Sequence, residues 1–441
     1  GAEEWRAEDE CPWYDAPLLR ADRAELRSLR VSGDGARLAD VLAASVYRHQ
    51  ADLASPELYD TALAGTKHLV GDWLDEVETC LRWLAVNPVE GLSDATKRAR
   101  FEQAWTVYGR SALLLSGGAT WGFHHLGVVK ALFENGVLPH ILSGASTGAM
   151  IASGVCTRDD AGLAALFADT DALRLDGLLP VGFRRALRAG ALLDPAQLYD
   201  VIRHNCGDLT FAEAYAKSGR ALNISVSPTR TRQKPRLLSH LTAPDVFVAR
   251  AALASSALPG LFPPVELLAR GRDGAVLPYA PGERWADGSI YGDLPKLRLA
   301  RLHNVNHFIV SQTNPHVAPV LMLKSRPGVG AVAGAASFTA RSQTTYAADL
   351  ARRVAPSWSG PVQRLAERTH ALVSQDYRGD IEIHPRFRPE LLAKMVANPT
   401  RADLVAFIRE GERATWPKIP RIADQTRLGR VFAECARTLR G

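Results

Sequence analysis

Residues 140–152 read His140-Ile141-Leu142-Ser143-Gly144-Ala145-Ser146-Thr147-Gly148-Ala149-Met150-Ile151-Ala152, a short apolar run that passes through Gly-x-Ser-x-Gly into small, helix-compatible residues. A serine on a tight strand-to-helix turn exposes its Oγ, and glycines on either side remove the Cβ atoms that would clash there. Glycine is frequent, 35 of 441 residues, so the pentapeptide alone also fits a plain structural turn. The apolar run before it and the small-residue helix after it favour the exposed serine.

Working outward, Ala112–Leu115 runs into Gly117-Gly118, Leu222–Val226 into Pro228, and His307–Gln312 into Asn314-Pro315. With His140–Leu142 these are buried-strand candidates closed by turn formers. Strands separated by helical stretches predict an α/β class with a mostly parallel sheet covered on both faces. The turn Ser116-Gly117-Gly118-Ala119-Thr120-Trp121-Gly122 precedes Phe123–Phe133, whose spacing is helical. Unpaired amides of a Gly-rich turn at a helix start form an anion site that can hold an oxyanion. A phosphate loop is the competing reading, but neither GxxxxGK[ST] nor GxGxxG is present. Trp285-Ala286-Asp287-Gly288-Ser289 is by itself only a turn signal. Beside a hydroxyl nucleophile its carboxylate gains a role, because a fixed carboxylate can take a proton directly or through water. His124 and His125 read as packing or capping residues and His307 as part of a buried strand; a Ser/His/Asp triad assembled in three dimensions stays open.

Hydrophobic residues make up 46% of the chain and charged residues 23%, which excludes wholesale disorder, collagen-like repetition and a multi-span membrane protein. A net charge of +6 on 53 basic and 47 acidic residues is a small excess, so nucleic acid is not the expected partner. A solvated surface accounts for the excess, with an anionic lipid surface as the alternative. Cys11, Cys80, Cys156, Cys206 and Cys435 are scattered without CxxC or metal-ligand spacing, so free thiols in a reducing, cytoplasmic compartment are expected, with no metal and no organic cofactor. The acidic first residues lack a basic, apolar signal region, and no run reaches the roughly 18 apolar residues of a membrane span. Residues 17–105 read as helical, with Val70, Trp73, Leu74, Val77, Cys80, Leu81 and Leu84 as one stripe. Residues 317–336 read as a flexible apolar loop, and 338–373 and 400–415 as helices, the former carrying Arg341, Arg352, Arg353, Arg364 and Arg368. The expected organisation is a helical leader at 1–107, an α/β domain at 108–316, and a C-terminal region at 317–441 that completes or covers it.

Gly117-Gly118-Ala119-Thr120-Trp121-Gly122, then Gly144–Gly148, then Ala251–Pro264 (AALASSALPGLFPP), then Asp287-Gly288-Ser289 resemble the patatin-like phospholipase family in order and spacing. Tyr108-Gly109-Arg110, Asn304–Gln312, Gly379–Ile383 and the leader's Gly65-Thr66-Lys67 are similar to its triacylglycerol-lipase branch of yeast and plant-seed type. The resemblance covers residues 13 to 390. It implies a three-layer α/β/α sandwich with helical N- and C-terminal extensions, and a dyad with Ser146 as nucleophile and Asp287 as base. It implies an oxyanion hole from the amides of Gly117, Gly118 and Ala119, with Gly122, Gly144, Gly148 and Gly288 as flanking motif residues. Many members carry a third Gly and then a basic residue where this chain has Ala119 and Trp121, which shifts the expectation from phosphate-bearing head groups toward neutral glycerides. Ser289 stands where the family has Gly and leaves the carboxylate in place. The expected activity is serine lipid acyl hydrolysis of glycerolipid esters, triacylglycerol first. Phospholipase A or lysophospholipase, a transacylase, and an idle lipid-surface regulatory protein are the rivals. A nearly insoluble substrate implies peripheral association with a membrane or lipid-droplet surface, expected through 317–336 and the Arg-bearing helix after it.

Overall fold

Successive side chains of β1 (Arg110–Leu115) enter opposite cores: Leu113 and Leu115 one, Ala112 and Leu114 the other. A strand buried on both faces requires this, since successive side chains point to opposite sides of the sheet. The computed structural model describes residues 1–62, 65–182, 184, 186, 191–230, 233–289, 293–314, 378–386 and 395–439. Around β1 lie β2 (Ile141–Gly144), β3 (Ala221–Pro228), β4 (Arg236–Ser239), β7 (Trp285–Asp287), β8 (Val305–Ser311) and β9 (Ile381–Ile383). They form a seven-stranded sheet in the order β4-β3-β2-β1-β8-β9, with β7 paired to β3; β5 (Leu268–Arg270) and β6 (Val276–Pro278) form a separate two-stranded sheet. The pairs β1–β2, β1–β8, β2–β3 and β8–β9 are parallel, whereas β4 and β7 run antiparallel to β3.

The helices His124–Glu134, Thr147–Cys156, Pro195–Cys206, Val248–Ser255 and Arg401–Thr415 contribute to the first core, and Leu299 of Lys296–His303 seals the second. This is the three-layer α/β/α arrangement. Register decides where chemistry can sit. Leu115 of β1 stands opposite both Gly144 of β2 and Ser311 of β8, so these parallel strands end level and the turns after them gather on one edge. The antiparallel pairing of Val226 with Asp287 brings the end of β7 to the same neighbourhood. In open α/β sheets the crevice at the strand C-termini is where sites form.

All four expected strands are present, each longer than its apolar run, and the expected helix at 400–415 is found at Arg401–Thr415. The leader, expected to be helical, consists of several helices, the longer ones at Ala16–Ser32, Gly35–Ser45, His68–Val86 and Asp94–Tyr108. Caps break it: Asp15 accepts from the Leu18 amide, Gly33 ends a helix at φ 78°, and Ser93 accepts from the Thr96 amide. The stripe Val70, Trp73, Leu74, Val77, Cys80, Leu81 and Leu84 is buried throughout. The apolar loop at 317–336 and the Arg-bearing stretch at 338–373 lie outside the described residues.

The last helix, Ile419–Thr438, joins two cores. Ile422 belongs to the core of the sheet, while Leu428, Val431, Phe432 and Cys435 belong to the core of the leader. Arg48 fastens the same junction with a buried guanidinium that donates to Asn306 Oδ1 (3.1 Å), the Gln425 carbonyl (2.7 Å) and the Gly109 carbonyl (3.3 Å). The ring of Phe432 packs against Tyr108 (centroids 5.6 Å) and edge-on to Phe101 (6.5 Å). Phe432→Ala is therefore expected to lower unfolding free energy by about 3–5 kcal/mol, the usual loss for a buried aromatic. Denaturant unfolding measures this; a loss under about 1 kcal/mol would mean that the helix is not held by the leader core.

Candidate active site

Ser146 occupies the turn between β2 and the Thr147–Cys156 helix with φ 52° and ψ −126°. A side-chain-bearing residue rarely adopts positive φ, and such strain persists only where surrounding structure fixes it. Here the Ala145 amide donates to the Leu115 carbonyl (3.2 Å) and the Ser146 amide to Ser255 Oγ (3.0 Å). Ser255 Oγ in turn donates to the Ser225 carbonyl on β3 (2.7 Å). Gly144 and Gly148 are required for close approach: a Cβ on Gly144 would collide with the Gly148 carbonyl, and one on Gly148 with the Leu115 carbonyl. Gly122 likewise faces the Thr147 side chain, and Gly288 the Ser225 carbonyl, with no room for a Cβ.

Asp287 ends β7, fully buried, and the Ser146 hydroxyl donates to its carboxylate. Burial pushes this carboxyl up to about 6, against donation from the amide of Ser289 (2.7 Å), its hydroxyl and that of Ser146. The serine found in place of the family's Gly at 289 thus adds a second donor to the same carboxylate. Neither His125 nor His307 reaches the pair, and His124 is buried with no hydrogen-bond partner for either ring nitrogen among the described residues. His125 bonds Ser311 Oγ (2.7 Å), the Ser116 carbonyl (2.9 Å) and Thr313 Oγ1 (3.2 Å), while His307 bridges Ser111 (2.9 Å) and Gln425 (2.8 Å). Burial drives His125 down to about 4 and His307 to about 3. The Ser146 hydroxyl meets the Asp287 carboxylate directly, with no described imidazole between them.

The Gly-rich turn lies against Ser146. A Cβ on Gly117 would stand 3.3 Å from the Ser146 Cβ, and Thr147 Oγ1 donates to the Ala119 carbonyl (2.8 Å). One expectation needs correction. The Gly117 amide, expected in the oxyanion hole, instead donates to Asp293 Oδ1 at 2.8 Å. The amides of Gly118 and Ala119 have no hydrogen-bond partner among the described residues, so these two are the donors the turn can offer. Ala119 takes φ 48°, which turns the chain into the helical segment that follows.

Ser146 also forms part of the wall of an apolar cavity of about 130 Å³. Met150, Ile151, Gly154 and Val155 line it from one face of the Thr147–Cys156 helix, spaced by three and four residues, and Leu198 and Ile202 line it from Pro195–Cys206. Residues Met395–Asn398 close another side. Thr120 Oγ1 donates to the carbonyls of Met395 (2.9 Å) and Ala397 (2.7 Å), and the Asn398 side chain pairs with the backbone of Leu178 (2.7 and 2.9 Å). Ser255 and Asp293 were not among the expected site residues. Ser255 lies within the Ala251–Pro264 motif, and Asp293 four residues past Asp287-Gly288-Ser289.

A strained serine bonded to a desolvated carboxylate, at the strand C-termini of an α/β/α sandwich and beside a Gly-rich turn, defines the class of site. A patatin-like phospholipase family model matches residues 113–297, and a domain of unknown function (DUF3336) matches residues 1–106. A patatin-like phospholipase domain-containing protein of Chaetomium globosum is 34% identical over 98% of this chain and 53% of its own length. A triacylglycerol lipase of Arabidopsis thaliana is 33% identical over 98% of this chain and 55% of its own. A triacylglycerol lipase of Schizosaccharomyces pombe is 33% identical over 95% of this chain and 88% of its own. The chain belongs to the patatin-like phospholipase family. It spans about half the length of the first two of these curated relatives.

Ser255→Ala would leave the Ser146 amide and the Ser225 carbonyl without their shared partner, at a cost of about 1–3 kcal/mol. The expected result is a fall of about tenfold or more in the rate at which a fluorophosphonate labels Ser146, with unchanged far-ultraviolet circular dichroism. Wild-type labelling would show that the turn holds its geometry without this bond.

Proposed function

We propose that this chain is a serine lipid acyl hydrolase that cleaves carboxyl esters of glycerolipids, triacylglycerol foremost. The observation that carries the reading is the Ser146 hydroxyl donating to buried Asp287 at the wall of an apolar cavity. In the first step Ser146 Oγ attacks the ester carbonyl as its proton passes to Asp287, and the carbonyl oxygen becomes an oxyanion facing the amides of Gly118 and Ala119. Collapse breaks the carbon–oxygen bond to glycerol, Asp287 returns the proton to the leaving oxygen, and the acyl group remains on Ser146. Water then attacks that ester with Asp287 again taking the proton, and the fatty acid leaves as Ser146 is reprotonated. Gly117, Gly122, Gly144, Gly148 and Gly288 act through shape, by allowing close approach.

Neutral substrate is supported by Trp121, buried where the resemblance to the wider family led to the expectation of a basic residue, and by the names of the Arabidopsis and Schizosaccharomyces relatives. Of the basic side chains that line the cavity, Arg174 pairs with Asp176 (2.8 Å) and Arg158 donates to the Gly154 carbonyl (2.7 Å). The chain works as a peripheral cytoplasmic protein on a membrane or lipid-droplet surface. Leu258 (39% exposed) and Val396 (55%) line the cavity and reach solvent, and Leu179 (49%) and Leu192 (57%) are tied beside them. The Leu192 amide donates to the Leu261 carbonyl (3.1 Å), and the Asp194 amide to that of Leu179 (2.9 Å). An apolar rim around an apolar cavity suits partition into a lipid interface.

Ser146→Ala is expected to abolish ester hydrolysis, and Asp287→Asn to slow it by about 10² to 10⁴, the scale of a general base. The decisive assay sets triglyceride, diglyceride, phospholipid and lysophospholipid side by side on the wild type and Ser146→Ala. Release of fatty acid from phospholipid in preference to triglyceride overturns the substrate, and retention of a tenth of the activity by Ser146→Ala overturns the mechanism. The rim has a separate test. Leu179→Asp with Leu192→Asp should reduce co-sedimentation with triolein emulsion at least fivefold, since each loses about 1.5–3 kcal/mol of apolar contact, while a short soluble ester is still cleaved. Undiminished co-sedimentation removes the rim from the lipid contact.

A further inference from the structure

Asp293 is a second fully buried carboxyl at this site, and the reaction above does not use it. Its Oδ1 accepts from the Gly117 amide at 2.8 Å, and Asn314, just past β8, donates its side-chain amide to Oδ2. The Gly117 carbonyl is tied as well, accepting from Thr313 Oγ1 (3.1 Å) and Ser116 Oγ (2.9 Å). In a trans peptide the carbonyl and the following N–H point in opposite directions. Fixing the Gly117 carbonyl toward Thr313 and Ser116 therefore aims the Gly118 amide the other way. Gly117 is the hub: a Cβ there would stand 3.3 Å from each of Ser146 Cβ, Ser289 Cβ and Asn314 Oδ1.

We propose that Asp293 is a positioning residue of the reaction: its carboxyl, shared between the Gly117 amide and Asn314, holds the Gly117–Ala119 turn in the orientation that presents the amides of Gly118 and Ala119. The assignment rests on the serine hydrolase reading above. Burial pushes Asp293 up to about 8 against the pull of the Gly117 amide, and the neighbouring Asp287 charge pushes the same way. Asp287, at about 6, loses its proton first, so between these values the site holds one base and one acid side by side. Among the described residues, Asp293 faces Asp287 on β7, the Gly117 amide after β1 and Asn314 after β8. His125, which reaches Thr313 from the helix after the turn, is neutral, and Lys296 directs its ammonium to the Arg378 carbonyl (2.8 Å). Above about 8 a second carboxylate charge arises against the turn where the oxyanion must form, and turnover falls.

The test uses the purified chain, a short soluble ester and a fluorophosphonate. The wild-type kcat/KM should rise through pH 6 and fall roughly tenfold between pH 7 and pH 9, as a single ionisation near 8 requires. Asp293→Asn keeps an acceptor for Gly117 but cannot ionise, so its profile should keep the acid limb and lose the alkaline one. Asp293→Ala removes the clamp and should label at least tenfold more slowly at pH 7 while remaining folded by circular dichroism. An alkaline limb retained in Asp293→Asn, or wild-type labelling by Asp293→Ala, overturns the assignment. If the Ala form does not fold, the Asn profile decides alone. A wild type that neither labels nor turns over overturns the hydrolase reading itself and this assignment with it.

Discussion

A serine held at φ 52° between a strand and a helix is the constraint from which the rest of the site follows. The conformation is costly for a residue with a Cβ, of order 1–3 kcal/mol, so it must be imposed from outside. β1 imposes it through the Leu115 carbonyl on the Ala145 amide, and the Val248–Ser255 helix through the Ser255 hydroxyl on the Ser146 amide. Both braces need the parallel strands to end level, which the pairing of Leu115 with Gly144 and Ser311 provides. The sheet register is therefore part of the chemistry: a slip of one residue would turn every side chain of the strand to the other face and separate the braces.

On the proposed mechanism, a desolvated carboxylate takes the part that imidazole plays in other serine sites. Burial brings Asp287 to about 6, close to the ordinary histidine value of about 6.5, so it can accept and return a proton near neutrality. The histidines of the same layer have moved the other way. Buried and bonded on both ring nitrogens, His125 and His307 serve as neutral bridges between strands and helices. One low-dielectric environment thus raises an acid and lowers two bases, and each shift follows from the cost of burying charge.

Much of this was legible in the sequence because it is local. Apolar runs closed by turn formers gave β1, β2, β3 and β8, and glycine spacing marked the Ser146 turn. What escaped was long-range. Gly117 and Asp293 are 176 residues apart and Ser146 and Ser255 are 109, so no window that reads periodicity or turn chemistry contains both partners. The reading of the Gly-rich turn failed at Gly117 for this reason: an amide that looks unpaired locally is claimed by a carboxylate from beyond β7. β7 and β9, three residues each, are too short to show a period. Helical periodicity marked the leader, and the caps at Asp15, Gly33 and Ser93 set where its helices begin and end.

The last helix carries a consequence for the order of synthesis. The leader is synthesised before the sheet, yet Leu428, Val431, Phe432 and Cys435 are part of its core and are made after every described strand. Until they arrive, the apolar surface that faces them on His68–Val86 and Asp94–Tyr108 has nothing native to cover it. Closing so long a loop adds little entropic cost, since that cost grows only with the logarithm of length, so the difficulty is one of timing rather than of equilibrium. The apolar faces of these leader helices therefore stay open to non-native contacts until residues 428–435 have been made.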